Sequence, residues 1–61
     1  MEYNTEDYLK KALLEAQERV RDYMLYSDKI EDEELSAFFA DYAENEGHQA
    51  RKLQEYLKDL Q

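Results

Sequence analysis

Asp28-Lys29-Ile30-Glu31-Asp32-Glu33-Glu34 contains neither glycine nor proline, yet the hydrophobic rhythm of the chain slips there. Before it, Leu9, Leu13, Ala16, Val20, Tyr23, Ser27 and Ile30 recur at intervals of 4, 3, 4, 3, 4 and 3 residues. After it, Leu35, Phe39, Tyr42, Glu46, Gln49, Leu53, Tyr56 and Leu60 recur in the same alternation, flanked by Phe38, Ala43, Ala50 and Leu57. Steps of three and four residues return to one face of a helix, so each run predicts a helix with a single apolar stripe. Five residues separate Ile30 from Leu35, which breaks the stripe. The break predicts an antiparallel helical hairpin, with helices over residues 5–29 and 32–60. One unbroken helix is the alternative.

The helix ends carry their own signals. Asn4 is a good N-cap, because its side-chain oxygen accepts from an orphan amide of the first turn. Glu6 and Asp7 then place acid at the positive end of the helix dipole. Tyr3 and Tyr8 stand where a hydrophobic staple closes a helix start. For the second helix, Asp28 or Asp32 is suited to cap, and Glu31 as cap would allow Ile30 and Leu35 to staple.

The 61 residues 1–61 make one domain, and a chain this short has difficulty enclosing a core alone. Without cysteine, neither disulfides nor thiolate metal ligands are available. A net charge of −8 argues against nucleic acid and anionic membrane surfaces as partners. No apolar run approaches the roughly 20 residues that span a bilayer, and the N-terminal stretch lacks the features of a signal peptide. The expected setting is cytoplasmic.

Each helix would be about 40 Å long, with a stripe wider than one neighbour covers. Ordering 61 residues costs on the order of 90 kcal/mol, more than a lone hairpin is expected to offset by burial. The fold class expected is therefore all-α: a hairpin that dimerises into a four-helix bundle. Its dimer core would hold Leu13, Ala16, Val20, Tyr23, Phe39, Tyr42 and Leu53. The partner expected is the chain itself. Leu14 and Leu25, on the far side of helix 1, read as surface leucines or as a strip for higher-order contact. The six tyrosines need no redox role, since packing explains them.

Glu46 is the anomaly. It falls within roughly 20° of the centre of the second stripe and Gln49 within roughly 50°, where a charge is costly unless paired, protonated or bound. His48 points roughly 145° away and is expected on the surface. Gly47, the only glycine, costs about 1 kcal/mol in mid-helix and either admits another backbone, marks a bulge or is simply tolerated.

Phe38-Phe39, Ala43-Glu44-Asn45-Glu46, Ala50 and Leu53 resemble the second helix of ferritin-like proteins, the rubrerythrins especially. The resemblance implies ferritin-like topology and a di-iron site whose Glu-x-x-His pair falls on Glu46 and Gln49. The glutamate of the family's first helix falls on Leu13, with Glu15 two residues away. Weak candidate metal ligands are thus Glu46, Gln49 and Glu15.

Two readings follow for Glu46 and Gln49. In the first they are a polar layer fixing register in a non-catalytic homodimeric bundle of structural or protein-interaction role, with no cofactor. In the second, Glu46 and non-standard ligands hold iron or another divalent metal in an oxidoreductase. A pocket for a small ligand is a further alternative. An unpaired core carboxylate would make Glu46→Gln stabilising near neutral pH.

Overall fold

The computed structural model describes residues 4–60. They form two α-helices, α1 (Thr5–Lys29) and α2 (Glu33–Leu60), packed antiparallel. No strand is present among them. The break at Asp28–Glu34 is a chain reversal, and the unbroken-helix alternative falls away.

The start of α1 is a reciprocal capping box. The Asn4 side-chain oxygen accepts from Asp7 N–H at 2.9 Å, and the Asp7 carboxylate accepts from Asn4 N–H at 3.3 Å. Aspartate here fills the role more usual for glutamate. The Tyr3 half of the expected staple lies outside the described residues. At the other end, Ile30 leaves the helix in extended geometry (φ −78°, ψ 124°) while its N–H still donates to the Tyr26 carbonyl. No described residue has positive φ, so the turn proceeds without glycine. Asp32 begins α2: its Oδ1 accepts from Leu35 N–H at 2.8 Å and its carbonyl from Ser36 N–H. The cap is therefore Asp32, α2 starts one residue later than expected, and Ile30 and Leu35 do not occupy staple positions.

Just inside the turn, two serines clamp the helices. Ser27 Oγ donates to the Ser36 carbonyl at 2.8 Å, and Ser36 Oγ donates to the Ser27 carbonyl at 2.6 Å. The Ser27 carbonyl belongs to the last turn of α1, where carbonyls lack an intrahelical partner. Ser36 supplies it with one.

Along the seam the buried side chains are Ala16, Ala43, Ala50 and Leu57. Ala16 is 1% exposed. The helices thus meet mainly on alanines, which let backbones approach, and the bulky residues are left at the margins. Half-buried Leu13, Val20, Tyr23, Phe39 and Leu53 border the seam, while Tyr42 is 37% exposed. Helix α2 is consequently turned from the orientation its stripe suggested. The Ala43–Ala50–Leu57 line faces α1, and Leu35, Tyr42, Gln49 and Tyr56 lie about 100° round from it.

The resulting body is a slab, with Cα extents of 44 × 23 × 11 Å and a radius of gyration of 14.1 Å. A 61-residue globule would have a radius of gyration of about 10.5 Å. The chain exposes 5215 Å², whereas a globular monomer of 7.4 kDa exposes about 4,200 Å². The excess is about 1,000 Å². No helix among the described residues is long and apolar enough to cross a membrane.

Candidate functional site: an aromatic face crossed by one ion pair

The two broad sides of the slab differ. On one, α2 presents Phe39, Glu46 and Leu53 next to the seam and Leu35, Tyr42, Gln49 and Tyr56 beyond them. Helix α1 contributes Arg19, Tyr23 and Tyr26 to the same side. Tyr23 is the hub of a ring cluster, its centroid 4.6 Å from Tyr42, 5.5 Å from Phe39 and 5.7 Å from Tyr26. Phe38 extends the cluster, edge-on to Phe39 at 5.7 Å and to Tyr42 at 5.9 Å. Near-perpendicular and tilted pairs at these separations are the favourable arrangements for aromatic quadrupoles. Burial, and secondarily Tyr42 beside it, pushes the Tyr23 hydroxyl above the ordinary tyrosine range.

Next to the rings, Arg19 Nε donates to Glu46 Oε1 at 2.9 Å. The Glu46 side chain is 15% exposed and that of Arg19 37%. The hydrogen bond to Glu46 is the main cause holding the Arg19 guanidinium above its usual value; burial opposes it, and the charges of Glu46 and Glu15 add to it. This pair corrects the expectation of an unpaired core carboxylate, and the stabilisation expected on Glu46→Gln loses its basis. A long arginine at the edge of the α1 stripe reaches across the seam to it. The clue was present: Arg19 lies between Ala16 and Val20, the level at which Glu46 sits once the chain folds back near residue 31.

The other weak metal candidates do not join Glu46. Gln49 is exposed on the hairpin, and Glu15 is exposed on α1. Leu13 is half-buried beside the seam. His48 faces outward as expected, its Nε2 3.8 Å from Glu44 Oε1 with both side chains exposed. No three His, Asp or Glu side chains among the described residues gather in a geometry for a metal ion. A di-iron centre needs several anionic oxygens and imidazoles converging on open positions. In the hairpin the Glu46 carboxylate is instead engaged by the Arg19 guanidinium.

The opposite side is a shallow, open groove of about 480 Å³, lined by Val20, Met24, Ala40, Ala43 and Gly47, with Glu44, His48 and Arg51 at its rim. Helix α2 runs through Gly47 without interruption. A Cβ placed on Gly47 would meet no atom within 4 Å. Compared with protein-family models, curated proteins and solved structures, the chain matches none.

Proposed function

We propose that this chain is a non-catalytic helical module that acts by association, two hairpins pairing as a four-helix bundle of ferritin-like architecture with a structural or protein-interaction role. The carrying observation is surface. Two chains, each with an excess of about 1,000 Å², have about 2,000 Å² to lose, the size at which obligate homodimer interfaces begin. The exposed Phe38 and Tyr56, at 55% and 53%, are side chains that a monomer gains by covering. The Arg19–Glu46 pair supports the non-catalytic reading, because it occupies the carboxylate that a metal would need. Ordinary packing uses every tyrosine for which a ring contact is described. A cytoplasmic setting belongs to the same proposal.

Sedimentation equilibrium tests the association, with a mass of twice 7.4 kDa expected. A monomer at 100-micromolar concentration refutes it. Elemental analysis of protein purified without chelator tests the absence of a metal centre. Stoichiometric iron, manganese or zinc that disappears in Glu46→Ala overturns the non-catalytic reading in favour of the metal-binding one.

A further inference from the structure

Resting on that association, we infer that the interface is the aromatic side of the slab, that its occupant is a second copy of this chain, and that the copies lie antiparallel with their turns at opposite ends. Three observations combine.

The first is where the apolar surface lies. Of the exposed large hydrophobics, Tyr26, Leu35, Phe38, Tyr42, Tyr56 and Leu60 belong to the aromatic side or its edge, while Leu14 and Leu25 lie on the far side of α1. On the groove side, Met24 is the one large exposed hydrophobic among the lining residues. The α2 stripe is centred near Glu46, about 50° from the line that faces α1, and Leu35, Tyr42, Gln49 and Tyr56 stand about as far again beyond it. A helix in a square four-helix array has neighbours in two directions roughly at right angles, and its stripe bisects them. In α2, one neighbour is α1 along Ala43, Ala50 and Leu57. The second neighbour faces Leu35, Tyr42, Gln49 and Tyr56.

The second is charge. Around the turn, Asp28, Glu31, Asp32, Glu33 and Glu34 stand against Lys29 alone, a net −4. Among the described residues, the opposite end of the hairpin holds Lys10, Lys11, Arg51, Lys52 and Lys58 beside Glu6, Asp7, Glu55 and Asp59, a net +1, and Glu2 in the sequence brings that count to zero. Stacking two copies with turns together sets −4 against −4. Stacking them with turns apart sets each acidic turn beside the other copy's lysine-rich end. Relief of that repulsion favours the second arrangement.

The third is register. With turns apart, a two-fold axis lies across the slab and α2 of one copy runs antiparallel along α2 of the other. The midpoint of Leu35, Tyr42, Gln49 and Tyr56 falls between residues 45 and 46, close to the middle of Glu33–Leu60. Pairing about that midpoint uses the whole helix. It sets Leu35 of one copy against Tyr56 of the other and Tyr42 against Gln49, whose amide and phenol are complementary hydrogen-bonding groups. Glu46 and Arg19 of each copy come next to the axis as two neutralised pairs.

The chain has no cysteine, so disulfide trapping reports cleanly. Tyr42→Cys with Gln49→Cys in one chain should convert most of the protein, on mild oxidation, to a species of twice the monomer mass. Leu35→Cys with Tyr56→Cys should do the same without removing a ring from the Tyr23 cluster. Asp22→Cys with Tyr42→Cys, which meet only if the turns lie together, should stay monomeric on a denaturing gel. The reverse pattern overturns the antiparallel arrangement. Tyr56→Glu should abolish the dimer in sedimentation while Met24→Glu leaves it intact. The opposite result overturns the choice of face. A monomeric wild-type chain would instead refute the association reading itself, so the failures are distinguishable.

Discussion

Replacing Gly47 with alanine tests the assignment of faces through stability alone. Glycine in a helix interior is about 1 kcal/mol worse than alanine, because it gives up more backbone freedom on folding. Two facts make that gain available here. The backbone at Gly47 is helical and has no positive φ. A Cβ would point into the open groove, where no atom lies within 4 Å. If the groove stays solvated in the assembled protein, nothing opposes the gain. A change of about 1 kcal/mol moves the melting temperature of a domain this size by about 4–8 °C. In a dimer both the stabilisation and the unfolding entropy double, so the expected shift is the same. The assay is thermal unfolding followed by circular dichroism at matched chain concentrations, with urea titration as a check on the slope. An unchanged or lowered melting temperature refutes the reasoning, because it means that another backbone packs against Gly47 and that the groove is the covered side.

Three further outcomes are expected. Ser27→Ala and Ser36→Ala should each cost about 1 kcal/mol, the net worth of a partly buried neutral hydrogen bond; a double-mutant cycle in urea should show coupling, and strict additivity would mean the two hydroxyls act independently. Glu46→Gln should lower the melting temperature at pH 7, because an amide replaces a carboxylate that accepts from Arg19, and an increase would restore the unpaired-carboxylate reading. The Tyr23 hydroxyl, raised in the folded state by burial and by Tyr42, favours folding fully below the ordinary tyrosine value of 10.0. That contribution is lost as pH rises through the higher folded-state value. Melting temperatures of Tyr23→Phe and wild type should therefore be compared from pH 8 to 11, where the wild type is expected to fall more steeply above pH 10 and equal slopes would remove Tyr23 from the alkaline transition.

Periodicity made both helices legible, because steps of three and four residues are imposed by helix geometry itself. The turn was legible to within a residue from the slip between Ile30 and Leu35, but its cap was not. Asp28, Glu31 and Asp32 are all acidic, and only backbone geometry selects the one whose oxygen reaches an amide three residues on. The orientation of α2 was misread for a physical reason. A stripe points to the centre of everything its helix packs against, whereas the hairpin contact is only one part of that environment. Ala43 and Ala50, placed at the stripe's flank by their spacing, form the seam because small side chains let the backbones close. Arg19 was missed because arginine at the margin of a stripe usually reads as solvated surface. Its level opposite Glu46 follows from the position of the turn, but spacing alone does not show that its length carries it across the seam.

The alanine seam makes the chain's evolutionary freedom lopsided. At Ala16, Ala43 and Ala50 every substitution except glycine adds volume, so drift along that line runs almost entirely toward prying the helices apart. Each such step would also rotate or displace α2 and thereby move Leu35, Tyr42, Gln49 and Tyr56 relative to whatever they meet. Three of the smallest side chains in the protein therefore set the aim of its largest ones. Lineages of this hairpin should explore new associations by changing the exposed rings, with the seam held nearly constant beneath them.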